Sequence, residues 1–214
     1  MKVENAILVF LLMGLTVSVS AEKTYSRHNG QFEQVTTVHG VVAKWTYNDD
    51  FEYDGLYLNT ANTSVFVKFP PHLGQQVRAL GDNLSVNGVF KDNPQGVTEL
   101  KMISVSGNGQ TVVDQKPIPD TKPLQESFVN GEGEIIQLHS NKKGEVCGYI
   151  LDDGVLLRIP PHVAKRLSQM IQAGSTIGYA GIEKALKPGH VRACDYNIIH
   201  CQTISVNGTQ YIVR

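Results

Sequence analysis

Cysteine is scarce in this chain of 214 residues, and neither sign of charge dominates it. Three cysteines are an odd number, so at most one disulfide can form within the chain and one thiol must stay free. Nineteen Lys and Arg stand against twenty Asp and Glu. The balance is local as well: residues 22–113 carry seven basic and nine acidic side chains, and 128–214 carry nine and seven. Tight non-specific binding of a polyanion needs a basic stripe, because counterion release supplies most of that affinity. Neither half has one, although a single basic groove remains compatible with these numbers. Beyond residue 21 no apolar run is long enough to span a bilayer. Gly-x-Ser-x-Gly, a phosphate-binding loop and His-Glu-x-x-His are all missing. The chain therefore reads as non-enzymatic, with no cofactor implied.

What is present begins with an export signal. Lys2 supplies a thin basic start, weakened by Glu4; Ala6 to Val17 is apolar; Val19-Ser20-Ala21 fits a small-residue cleavage site. Cleavage would leave 214 − 21 = 193 residues outside the cytoplasm, periplasmic or extracellular, with no membrane anchor. No cysteine follows the cut, so a lipoprotein is not indicated.

The rest is written twice. Val65-Phe66-Val67-Lys68-Phe69-Pro70-Pro71-His72 recurs as Val155-Leu156-Leu157-Arg158-Ile159-Pro160-Pro161-His162. The alternation of Val65, Val67 and Phe69 against Phe66 and Lys68 predicts a half-buried strand. The proline pair, which cannot donate to a ladder, ends it. Each histidine then opens a helix, at 72–80 in the first copy and 162–173 in the second, where Val163, Leu167, Met170 and Ile171 share a face. Gly40 and Gly55 recur as Gly133 and Gly148, and Ser175 to Gly181 aligns with Asp82 to Gly88. The first unit (22–113) has predicted strands at 35–45, 51–58, 65–69, 83–90 and 97–105, with a last short one at 110–113. Residues 114–127 contain three prolines and read as a linker. The second unit (128–214) repeats the order, with a longer fifth strand at 190–206 that absorbs extra residues near 193–200.

Three strands, a helix and two strands, with a glycine in the middle of the first strand, resemble the oligonucleotide/oligosaccharide-binding (OB) fold. That fold is a five-stranded Greek-key barrel with its helix between strands three and four. The series Gly40, Gly55, Phe69-Pro70-Pro71-His72 and Gly88, with its partner Gly133, Gly148, Ile159-Pro160-Pro161-His162 and Gly181, is also similar to bacterial proteins described as OB-fold-like. The expectation is a mostly β protein of two small tandem barrels.

The resemblance implies a ligand face on the outer side of strands two and three. If Leu56 and Leu58 face the core, Phe51, Tyr53 and Tyr57 face out, joined by Phe66 and Lys68 from strand three: aromatics beside a cation. Such a surface stacks bases or sugars, so single-stranded nucleic acid or oligosaccharide is the expected partner. In the second unit the matching positions are Val146, Ile150, Leu156 and Arg158. An aliphatic patch predicts an interface, with the first unit, the linker or another protein. This is the basis of a second reading, a structural or adaptor protein. His190, Cys194, His200 and Cys201 are the one cluster of metal-like composition, although their spacing fits no standard finger. Cys194 and Cys201 could instead pair, with Cys147 buried in a strand. His72 and His162 are expected to serve structurally, a ring nitrogen capping free helix amides. Asp152-Asp153-Gly154 reads as a hairpin turn.

Overall fold

In a computed structural model the chain is described over residues 32–92, 98–115 and 126–213. The expected export signal (1–21) and most of the expected linker (116–125) lie outside those residues. Residues 34–214 belong to one compact unit.

The first barrel comprises β1 (Thr36–Tyr47), β2 (Tyr53–Asn59), β3 (Ser64–Lys68), a 3-10 turn (Pro71–Leu73) running into α1 (Gly74–Ala79), β4 (Asn83–Asp92) and β5 (Thr98–Gly107), with β6 (Gln110–Val113) appended. β1 pairs antiparallel with β2 and β4, β2 with β3, and β4 with β5; a parallel β3–β5 pairing closes the ring. This is the strand order of an OB-like barrel. The second barrel repeats it with β7 (Glu126–Ser140), β8 (Val146–Leu151), β9 (Val155–Arg158), α2 (Pro161–Leu167), β10 (Thr176–Lys184), β11 (Asn197–Val206) and β12 (Thr209–Ile212). Its closure is the parallel β9–β11 pairing.

The two copies agree in their irregularities, which are harder to match by chance than their strands. β1–β2 slips register at Val42/Lys44 and Thr46/Tyr47, and β7–β8 slips at Ile135/Gln137 and His139/Ser140. A bulge at Asn87/Gly88 recurs at Ala180/Gly181. At both bulges a Cβ on the glycine would overlap a carbonyl of the facing strand, that of Lys101 or of His200. Gly40, in the middle of β1, lies where a Cβ would overlap the Asn59 carbonyl of β2. The Phe69 N–H donates to Asp54 O at 3.1 Å, and Ile159 N–H to Cys147 O at 2.9 Å, anchoring both Pro-Pro exits alike.

Each barrel has its own core. Leu56, Leu58, Val67 and Phe69 are buried in the first, with Leu73, Val77 and Leu80 from the helical segment beneath them. Ile135, Tyr149, Leu157, Ile159, Leu167 and Ile171 do the same in the second.

Some expectations are corrected. α2 ends at Leu167, short of 173, because the Ser168 hydroxyl donates to Lys165 O (2.8 Å) and the chain tightens into turns. Ile171 is still buried, but Met170 faces out. Neither helical segment has a side-chain cap; His72 Nε2 donates instead to Gln115 O at 3.2 Å. The three cysteines are free thiols, with Cys147 and Cys201 buried. β11 starts at Asn197, not 190. The residues before it leave the second barrel and lie against the first.

Candidate ligand face and the joint between the barrels

The β1–β2 turn and its β7–β8 counterpart are built on one frame, Asn-x-x-x-Glu. Asn48 Oδ1 accepts the N–H groups of Asp50 (2.9 Å) and Glu52 (3.0 Å), and its Nδ2 donates to Glu52 Oε2 (3.0 Å). Asn141 does the same with Lys143 (2.9 Å), Glu145 (3.0 Å) and Glu145 Oε2 (2.9 Å). An asparagine side chain that mimics a backbone turn explains why two different fillings give one shape. The fillings have opposite charge: Asp49-Asp50 in the first turn, Lys142-Lys143 in the second.

Each turn reaches the other barrel. Arg158 on β9 pairs with Asp50 (2.9 Å) and lies 3.6 Å from Asp49. Lys142 pairs with Asp54 at 2.8 Å, a carboxylate whose residue is only 8% exposed. His139 Nε2 donates to Asp49 O at 2.9 Å.

The fourth residue of the frame differs most. Both occupants have positive φ, 57° for Phe51 and 79° for Gly144. Glycine adopts that conformation freely, whereas for phenylalanine it is strained by about 1–2 kcal/mol. The strain is offset by burial. The Phe51 ring packs on Ile150, Leu156 and Ile198 of the second barrel, 4.9 Å from the His139 ring and 5.4 Å from that of Tyr196. Phe51 thus covers the outer face of β8 and β9. Of the expected aliphatic patch, Ile150 and Leu156 are covered, by one aromatic side chain from the first unit, whereas Val146 packs against the second barrel's own core.

Among the described residues nothing covers the corresponding face of the first barrel. Tyr57 and Phe66 are cross-strand partners with ring centroids 5.2 Å apart, and Tyr57 is 37% exposed. Register places Lys44 opposite Tyr57, Glu99 opposite Phe66, and Lys101 opposite Lys68, so these side chains share the face. All three lysines are exposed. A cavity of about 420 Å³ adjoins it under Phe69-Pro70-Pro71, lined by Lys68, Lys101, Asp54 and Asp114. Its counterpart in the second barrel is smaller, about 280 Å³, and holds Arg158, His200, Cys147 and Val213 at the matching positions. The charged set of the first barrel has become largely thiol, imidazole and aliphatic in the second.

Of the six residues expected at the ligand face, Tyr57, Phe66 and Lys68 come together. Phe51 does not, because it sits in the turn before β2 and its reversed backbone sends the ring to the other barrel. Tyr53 does not either. The slip at Thr46/Tyr47 turns it toward Trp45 (5.8 Å), and the Arg78 guanidinium lies 4.3 Å over its ring. Arg158 is half-buried in the ion pairs of the joint. Lys44 and Lys101 were missed by the sequence reading; only strand register brings them in.

The metal-like cluster is dispersed. His190 Nδ1 lies 3.2 Å from Glu52, Cys194 packs beside Tyr196, and Cys201 is in the barrel core. Among the described residues no group of three or more His, Cys, Asp or Glu could hold a metal ion. Burial pushes the Cys201 thiol up to about 12, against a weak opposing hydrogen bond to Thr203 O. Burial also raises Cys147, although Arg158 donates to its sulfur at 2.9 Å. Neither is poised as a nucleophile.

No protein-family model matches the chain, and no match is found among curated proteins. The class defined by the fold is a mostly β chain of two closed, OB-like barrels in tandem.

Proposed function

We propose that the protein is an exported, non-catalytic binding module whose first barrel takes an extended polymer, single-stranded nucleic acid or oligosaccharide, across Tyr57 and Phe66. The observation that carries this reading is the asymmetry of the two outer faces: one is covered by Phe51, while the other leaves Tyr57 exposed beside a half-buried Phe66, among Lys44, Lys68 and Lys101. Paired rings offer stacking to bases or sugars, and the lysines favour a polymer that carries negative charge. Export is supported by the apolar run at 6–17 and by the small-residue site Val19-Ser20-Ala21 that follows it. The absence of any recognised catalytic motif supports a binding role.

The test is fluorescence anisotropy with a labelled oligothymidylate, and with neutral and acidic oligosaccharides, against the full chain. Tyr57→Ala and Phe66→Ala should each weaken binding by about 1–3 kcal/mol, with far-UV circular dichroism unchanged. For the oligonucleotide, Lys68→Ala should also reduce the salt slope by about 0.7. Absence of binding to every polymer, or binding indifferent to both aromatic substitutions, refutes the reading.

The adaptor reading keeps one observation in its favour, the buried aliphatic face of the second barrel. That face is occupied from within the chain, so it argues for an internal structural joint.

A further inference from the structure

The segment before β11 has a docking place on the first barrel. Gly189 O accepts the Gln75 N–H at 3.0 Å, Val191 O accepts that of Tyr53 at 3.0 Å, and the Ala193 N–H donates to Phe51 O at 2.8 Å. Glu52 and Arg192 form an antiparallel bridge, and His190 sits on the Glu52 carboxylate. Residues 191–193 are in effect a short strand added to the leading edge of β2. Gly189, at φ 77°, is required there, since a Cβ would overlap the His72 carbonyl.

The second barrel has the same edge with nothing described on it. Gly144, Glu145 and Val146 are the counterparts of Phe51, Glu52 and Tyr53, and Glu145 is held by Asn141 as Glu52 is by Asn48. Behind the edge, the first barrel is filled by Trp45 and Tyr53, which meet edge to face, and by Arg78, whose guanidinium lies over both rings. Their counterparts are Leu138, Val146 and Ser168, all smaller. The result is a cavity of about 510 Å³ between α2 and the β7–β8 ladder, floored by Tyr149, Ala164 and Ile171, with Glu145 at its mouth.

We propose that this groove receives an extended peptide segment of a partner protein, added antiparallel to Gly144–Val146 as residues 191–193 are added to Phe51–Tyr53. The partner places a cationic side chain on Glu145 and an apolar one in the cavity. A peptide, more than a small apolar molecule, is indicated because the edge offers backbone groups, and because this chain already uses the equivalent edge for a peptide. A carboxylate fixed at the rim by its own asparagine selects for Arg, Lys or His at one position.

A fluorescein-labelled peptide of residues 187–193 (Lys-Pro-Gly-His-Val-Arg-Ala) is the probe, titrated with the full chain and followed by anisotropy. Saturable binding is expected, weakened at least about tenfold by Glu145→Lys, a substitution at an exposed position. Proline in place of the peptide's terminal alanine removes the N–H that the edge accepts, and should weaken binding to a similar degree without touching the protein. Tyr57→Ala should leave binding unchanged, which separates this groove from the polymer face. The proposal is overturned by no saturation up to about 1 mM, by binding insensitive to Glu145→Lys, or by binding that responds to Glu52→Lys, which would place the peptide on the first barrel.

Discussion

Phe51 is a large side chain in a backbone conformation that suits glycine, and two of its substitutions should therefore fall in an unusual order. Phe51→Ala removes the ring from its contacts with Ile150, Leu156 and Ile198 and should cost about 3–5 kcal/mol, as for other buried phenylalanines. Phe51→Gly loses the same contacts but regains a backbone that tolerates φ 57°. The glycine variant should be the more stable of the two by about 1 kcal/mol in urea unfolding, although it is the smaller residue. An alanine variant equal to or better than the glycine one would mean that the turn carries no strain. Cys201 makes a second prediction at this scale. Its folded-state value is about 12 against an ordinary 9.0, so below pH 9 both folded and unfolded thiols are protonated and nothing is lost. Between pH 9 and 12 the unfolded thiol ionises first, and stability falls as pH rises. Cys201→Val should flatten that part of the urea-midpoint curve, and the native Cys201 thiol should resist a water-soluble disulfide reagent at pH 8 that modifies it once unfolded.

The β1–β2 and β7–β8 turns set the joint through opposite charges on one frame. Arg158→Glu places an acid against Asp49 and Asp50 and should destabilise the folded chain by about 1–3 kcal/mol. Adding Asp50→Lys should recover part of that loss, and a double-mutant cycle reads the coupling directly. Additive effects would show that the pair contributes nothing. The elements themselves were legible in the sequence because each has a local cause. Alternation marks β3 and β9, proline pairs mark their ends, and Asn-Gly marks the final hairpins, where Asn108 and Asn207 take positive φ as such turns require. The ligand face was legible in part. Tyr57, Phe66 and Lys68 follow from period-2 alternation, but a register slip redirected Tyr53, and Phe51 lies in a turn where alternation has no meaning. Lys44 and Lys101 are remote in sequence and enter only through pairing. The sequence places residues 190–193 in the fifth strand, and nothing local in them marks that they leave it for the first barrel.

For the molecule as a whole, the two barrels share ion pairs, a buried aromatic and a strand-like strap, all within the one compact unit 34–214. Calorimetry should accordingly show one cooperative transition in the wild-type chain, and Phe51→Ala combined with Arg158→Ala should split it into two. Two transitions in the wild-type chain would show that the joint is too weak to couple the barrels. The duplication was plain in the sequence because the glycines keep their spacing and the Pro-Pro-His series recurs in both halves; the way the halves meet was legible only in the aliphatic pair Ile150 and Leu156, because the rest of it lies in turns and an insertion. The difference between Phe51 and Gly144 has one further consequence. Twofold repetition of a fold suggests two equivalents of ligand, yet among the described residues the outer face of the second barrel is covered and that of the first is not. Isothermal titration with a polymer short enough to cover a single barrel should therefore give a stoichiometry of one per chain, and a value of two would mean that the phenylalanine swings aside.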